Sequence, residues 1–91
     1  MGNFGSSKTG FHITFKNGWT VSVQWGPGTY SDNHHTFSNS EKALKSLTAE
    51  IAAWDKNGKW YEFENDTVQG WQTPEQVLKF LNEIANKTGD Y

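Results

Sequence analysis

The sequence predicts an α+β fold in which two antiparallel β-hairpins form a four-stranded sheet covered by one C-terminal helix. Apolar and polar residues alternate in two regions, and each region is interrupted by Lys-Asn-Gly, which is typical of a hairpin turn. Near the C-terminus, apolar residues recur at helical spacing behind a Thr-Pro pair. Hairpins followed by a helix indicate two packed layers.

The composition indicates one small domain. The chain has 91 residues, and we expect a flexible arm at 1–9, rich in Gly and Ser, before a single domain at 10–91. Five Trp, six Phe and three Tyr can supply a large apolar area to a small core. The absence of Cys excludes disulfides and thiolate metal sites.

The charge pattern bears on the class of partner. The net charge is −2, with eight Lys and no Arg. Because Arg is the preferred residue for bidentate phosphate and base contacts, this balance argues against DNA or RNA binding. No apolar run reaches the roughly 18 residues of a membrane span. We therefore expect a small-molecule ligand or a protein partner, and neither nucleic acid nor a membrane.

The first hairpin joins residues 11–15 to 19–25. A two-residue loop would place the apolar residues of its strands on opposite faces, whereas a three-residue loop with Gly18 left-handed keeps them together. The predicted pairs are Phe15 with Trp19, Ile13 with Val21, and Phe11 with Val23.

The second hairpin is predicted around residues 56–58, where Lys-Asn-Gly recurs. The same loop pairs Asp55 with Lys59, Trp54 with Trp60, Ala53 with Tyr61, and Ile51 with Phe63. Trp54 and Trp60 would then lie together on the face opposite the core. A bare apolar face of that kind predicts a homo-oligomer.

Two helices are considered. Ser38 and Glu41 fit a capping box, so a short helix can form near 39–46. The C-terminal helix begins behind Thr73 as the N-cap, with Pro74 in its first turn. Its apolar stripe is predicted to comprise Val77, Leu81, Ile84 and Ala85, with Leu78 and Phe80 beside it.

The segment 25–35, WGPGTYSDNHH, is the candidate ligand site. Its glycines let a backbone approach a ligand closely, its rings can stack, and its hydroxyls and amides can hydrogen-bond. The competing interpretation is a strand end that must turn sharply. The predicted ligand-binding residues are Trp25, Gly26, Pro27, Gly28, Thr29, Tyr30, Ser31 and Asn33.

An alternative interpretation of the same segment is a metal site. Asp32, His34 and His35 are of the residue types that bind metals, and His12 could join them. Asp, Asn and Ser also favour solvated turns, because they bond their own backbone. No nucleophile elbow or paired acid and base accompanies them. We expect no catalytic residue and no cofactor, with a small metal-assisted enzyme as an alternative.

Three strings carry a resemblance to a known group of proteins: GFHITFKNGWTVSVQWGPGTYSDN, AEIAAWDKNGKWYEF and VQGWQTPEQVLKFLNEI. Together they resemble a family of small proteins encoded by phages and prophages, over residues 10–87. The shared features are an aromatic-Gly-x-Gly strand end followed by Tyr, an AE-aliphatic-A-x-WD hairpin and a Pro-capped helix.

The resemblance implies a phage origin and one domain, and it implies no particular activity. Because small non-enzymatic phage proteins often counter host defence, we expect a binding protein that acts without catalysis in the host cytoplasm. The leading expectation is a homo-oligomer that sequesters a nucleotide-derived immune signal, such as a cyclic nucleotide or a cyclic ADP-ribose. The alternative is a protein–protein inhibitor of a host defence factor, acting through the same loop or through Trp54 and Trp60.

Overall fold

A computed structural model describes residues 2–26, 28–32, 45–64 and 66–87. It contains one five-stranded antiparallel sheet in the order β1-β2-β3-β4-β5 and one C-terminal helix, so the α+β class is confirmed. The elements are β1 Asn3–Ser7, β2 Gly10–Thr14, β3 Thr20–Gln24, β4 Ala49–Trp54, β5 Gln69–Gln72 and α1 Pro74–Ala85.

The first hairpin has the predicted three-residue loop. The Phe15 amide donates to the Trp19 carbonyl at 2.7 Å, and Gly18 has φ of 90°. Phe11 lies opposite Val23, and Ile13 lies opposite Val21, as the apolar pattern requires. The register is therefore confirmed, because only this loop places the apolar side chains of both strands on one face.

The predicted count of four strands is wrong, because β1 lies within residues 1–9, where we expected a flexible arm. β1 pairs antiparallel with β2 along its whole length, with Phe4 opposite Ile13. Pairing with an open sheet edge satisfies the backbone groups of a Gly- and Ser-containing segment whose own strand propensity is low. The His12 ring lies over Gly5 on the neighbouring strand, and an added Cβ at position 5 would lie 2.1 Å from this ring, so the ring would have to move.

The second hairpin has the predicted turn and the predicted pairs next to it. The pairing predicted farther from the turn is wrong. Trp54 bridges Trp60, and the Tyr61 amide donates to the Ala53 carbonyl at 2.8 Å. Beyond Tyr61 the chain leaves the sheet, and Ile51 pairs with Gln69 of β5 instead of with Phe63. Tyr61 and Phe63 of this segment pack their rings against Phe80 of α1, at centroid distances of 5.4 and 5.2 Å.

The helix α1 covers the face of the sheet formed by Val21, Val23, Ala49, Ile51 and Ala53. A capping box begins it: the Gln76 amide donates to Thr73 Oγ1, and the Thr73 amide donates to Gln76 Oε1. Its buried residues are Val77, Phe80 and Ile84, with Leu81 partly buried. Ala85 is exposed and Phe80 is buried, contrary to the predicted stripe.

The short helix expected near 39–46 lies largely outside the described residues. Lys45 and Ser46, at the end of that range, are not helical.

Candidate functional site

The loop after β3 is anchored at its start by the backbone of the turn between β1 and β2. The Trp25 amide donates to the Thr9 carbonyl at 2.9 Å. Gly26 is buried, and a Cβ placed there would lie 2.2 Å from Thr9 Oγ1. The first predicted glycine thus serves a close approach between two chain segments.

Two hydroxyl groups that were predicted to contact a ligand hold the loop together. Thr29 Oγ1 donates to the Gly26 carbonyl at 2.6 Å and lies 2.8 Å from Ser31 Oγ. Ser31 is almost fully buried and also donates its amide to the Thr29 carbonyl. Tyr30 lies between Thr29 and Ser31 in the sequence, so this network fixes the orientation of the Tyr30 side chain.

The loop places Tyr30 against β4 and β5. The Trp71 amide donates to the Tyr30 carbonyl at 2.7 Å, and the Tyr30 amide donates to Glu50 Oε2 at 3.2 Å. An added Cβ on Gly70 would lie 2.4 Å from the Tyr30 Cβ. Glycine at position 70 is therefore what allows Tyr30 to lie over the edge of the sheet.

Tyr30 and Trp71 form an exposed stacked pair. Their ring centroids are 5.6 Å apart with 22° between the planes, and they are 45% and 54% exposed. Trp71 has φ of 50°, which is a rare conformation for a bulky residue. Backbone strain of this kind concentrates at functional sites. Trp71 was not predicted as a site residue, although it ends the Gly-Trp pair in the quoted string VQGW.

Trp25 faces a different surface from Tyr30. Its ring contacts Phe11 edge to face at 6.3 Å, and it lines a cavity of about 660 Å³ between the sheet and α1. Leu47 and Leu78, both largely exposed, lie at this cavity. Trp25 and Tyr30 therefore do not form the walls of one pocket, because the sheet separates the cavity from the Tyr30–Trp71 pair.

The remaining predicted residues are placed only in part. Pro27, Asn33, His34 and His35 lie outside the described residues. Gly28 is exposed, with φ of 83°. Asp32 is tied to Thr48, whose Oγ1 donates to Asp32 Oδ1 at 2.9 Å. That contact fastens the end of the loop to the segment that enters β4.

A second aromatic pair lies on the sheet face opposite α1. Trp54 and Trp60 have ring centroids 4.9 Å apart, and Trp60 is 46% exposed. Since side chains alternate along a strand, Glu50, Ala52 and Trp54 point to this face while Ile51 and Ala53 enter the core. The Tyr30–Trp71 pair adjoins this face at Glu50. The predicted placement of the Trp54–Trp60 pair opposite the core is confirmed.

Within the described ranges, no group of three or more His, Asp or Glu residues could hold a metal ion. No helix in that part of the chain is long and apolar enough to cross a membrane. Comparisons of the chain with protein families, curated proteins and solved structures find no significant match.

Proposed function

We propose that the chain is a phage-encoded binding protein that counters host defence in the host cytoplasm by sequestering a nucleotide-derived immune signal. The observation that carries the proposal is the exposed Tyr30–Trp71 stack. It is rigidly held, since Tyr30 is bonded through its carbonyl to Trp71 and through its amide to Glu50. A rigid ring pair gives stacking area at low entropic cost.

The chemistry beside the stack suits a nucleobase. Stacking of a base on an aromatic side chain contributes about 1–3 kcal/mol. The Glu50 carboxylate, which accepts one hydrogen bond from Tyr30, has further acceptor capacity for an exocyclic amine or a ribose hydroxyl. The lack of Arg in the sequence means that Lys, hydroxyl or backbone donors must hold any phosphate.

Binding without catalysis is the form that the loop chemistry favours. Thr29 and Ser31, the hydroxyls nearest the stack in sequence, are bonded to each other. Asp32 is engaged with Thr48. We therefore place these groups in the scaffold that positions Tyr30 and assign no reaction to them. Subunit association can complete the site, and native mass measurement reports on that part of the proposal.

A thermal-shift panel of cyclic dinucleotides, linear nucleotides and cyclic ADP-ribose isomers tests the proposal. We expect one nucleotide to stabilise the protein, and we expect Tyr30→Ala to abolish that shift. Leu78→Ala is the matched control, because Leu78 is also exposed and apolar but lies on the helix. Heat denaturation of the complex should release the nucleotide intact. Release of a modified product would overturn sequestration in favour of an enzyme.

A protein–protein inhibitor is the second candidate. The supporting observation is the apolar cavity between the sheet and α1, where Leu47 and Leu78 are exposed. Exposed apolar patches of this kind are typical of interaction sites. Under this alternative, the nucleotide panel gives no shift, and Leu78→Asp, not Tyr30→Ala, removes the anti-defence effect in infected cells.

A further inference from the structure

We infer that the chain forms a two-fold dimer in which β1 pairs antiparallel with β1 of a second copy. β1 is one edge of the sheet, whereas Trp71 of the stacked ring pair belongs to β5, at the other edge. This interface is therefore separate from the proposed ligand site, and its existence does not depend on the proposed function.

The hydrogen bonds of the first hairpin establish which residues of β2 bond towards β1. The Phe15 amide donates to the Trp19 carbonyl, and the Trp25 amide donates to the Thr9 carbonyl. Odd-numbered residues from 9 to 15 therefore bond towards β3, because backbone groups of successive residues in a strand point alternately to its two sides. The even-numbered residues of β2 bond towards β1.

The same alternation identifies the backbone groups that β1 leaves for another strand. His12 is an even-numbered residue of β2 and lies opposite Gly5, so Gly5 bonds towards β2. Its neighbours Phe4 and Ser6 then direct their amides and carbonyls away from the sheet. The outer edge of β1 thus presents two donors and two acceptors at the spacing of a strand.

These outward groups fit a second copy of β1. A two-fold axis at Gly5 pairs all five residues of the strand, with Phe4 opposite the partner's Ser6 and Ser6 opposite the partner's Phe4. Residues whose backbone groups face each other in an antiparallel pair exchange both of their hydrogen bonds. Both outward donors and both outward acceptors of each copy are satisfied in this register.

β1 lacks the features that protect natural edge strands. Such strands commonly carry Lys, Pro or a β-bulge, which prevents pairing with another chain. The sequence of β1 is Asn-Phe-Gly-Ser-Ser, without charge or proline, and its residues pair with β2 in unbroken register. Two copies can therefore meet along this edge without like charges opposite each other.

The dimer also gives the ring of Phe4, which is 82% exposed, an apolar partner. Phe4 lies opposite Ile13, and Ile13 lies opposite Val21 of the core, so all three side chains are on one face of the sheet. The helix packs on β3, β4 and β5 and leaves the β1 end of this face uncovered. Across the two-fold axis the two Phe4 rings are diagonal neighbours, a separation at which aromatic rings make contact.

Sedimentation equilibrium over a series of concentrations tests the dimer. Ser6→Pro removes an outward amide and none of the hydrogen bonds between β1 and β2. It should weaken dimerisation by roughly 5- to 100-fold, since each subunit loses one donor. Ser6→Ala, which retains the amide, is the matched control and should dimerise within about twofold of the wild type. Equal dimerisation of the two variants would overturn the inference.

Amide hydrogen exchange of the wild-type protein at low and high concentration locates the interface without a variant. The amides of Gly5 and Ser7, which face β2, should be protected at both concentrations. Those of Phe4 and Ser6 should become protected only where the dimer forms. A protein that stays monomeric, or a dimer that leaves these two amides unprotected, would overturn the inference. Failure of every nucleotide to bind would overturn the proposed function and leave the dimer standing.

Discussion

The side-chain amide of Asn17 donates a hydrogen bond of 2.8 Å to the carbonyl oxygen of Ile84 and so joins the first hairpin turn to the end of the helix. The same nitrogen lies 3.4 Å from the Ala85 carbonyl and 3.1 Å from the Lys87 carbonyl. Asn17 Oδ1 accepts from the Trp19 amide at 3.0 Å. The last carbonyls of a helix have no partner within it, so this buried amide caps α1 from the sheet.

Replacement of Asn17 should therefore destabilise the whole fold. Asn17→Ala removes the side-chain donor to the helix-end carbonyls and the acceptor of the Trp19 amide, and it should lower the free energy of unfolding by about 1–3 kcal/mol in urea denaturation. Asn17→Asp should cost more, because a carboxylate has no donor and its charge opposes the helix dipole. Asn57, at the same position of the second Lys-Asn-Gly turn, is exposed. Asn57→Ala is the control, and an equal loss in both variants would contradict the capping role.

The two turn glycines should differ in their tolerance of alanine. Gly18 and Gly58 have φ of 90° and 82°, so alanine is strained at both, by about 1–2 kcal/mol. At Gly18 the added Cβ would also lie 3.1 Å from the Lys56 Cβ, whereas Gly58 has open space. We expect Gly18→Ala to lower the denaturation midpoint more than Gly58→Ala. The reverse order would show that the two turns do not contact as described.

Gly70→Ala should disrupt the aromatic stack more than the fold. The added Cβ would lie 2.4 Å from the Tyr30 Cβ and 2.9 Å from the Tyr30 carbonyl oxygen, so the loop must move away from β5. We expect a changed near-ultraviolet circular dichroism signal and loss of the nucleotide thermal shift. The far-ultraviolet signal should be retained. Unchanged nucleotide binding would separate the ligand site from the Tyr30–Trp71 contact.

The stability of the protein should fall at high pH through Tyr61. Burial, then the charge of Glu83, then the hydrogen bond from Tyr61 to Glu83 raise the pKa of this phenol above 10.0. The folded state therefore holds its proton more tightly than the unfolded state. The resulting stabilisation is present below about pH 10 and is lost as the pH rises through the folded pKa.

Glu83→Gln checks this dependence. It removes the carboxylate charge, so the pKa of Tyr61 should move down towards its ordinary value and the loss of stability at alkaline pH should become smaller. Titration of the phenolate absorbance measures the pKa directly. Tyr91 and Tyr30 also contribute absorbance, so the titration is repeated in Tyr61→Phe to identify the Tyr61 component.

The fold was predictable where local chemistry decides it. The Lys16-Asn17-Gly18 loop and the alternation of apolar residues fix the register of the first hairpin, since only one loop length places both apolar rows on one face. The capping box at Thr73 follows from Thr, Pro and Gln at fixed offsets. These features depend on neighbours in sequence.

The errors occurred where distant contacts compete with local preference. Residues 3–7 have weak strand propensity and form β1 because β2 offers an open edge. Phe63 leaves the predicted strand because its ring packs 5.2 Å from Phe80 of α1. The alternation of apolar residues could not predict this contact of Phe63 with the helix, because Phe80 is 17 positions away in the chain.

In the candidate site, too, local features were predictable from the sequence and contacts between distant residues were not. The sequence by itself determined the hairpin turns, the start of α1, the α+β class and the presence of Tyr30 in a Gly-rich loop. Only the tertiary structure decided that Tyr30 stacks on Trp71, that Trp25 belongs to a different surface, and that Thr29 and Ser31 hold the loop. Turns and caps are set by short-range hydrogen bonds, whereas a ligand surface forms from residues that folding brings together.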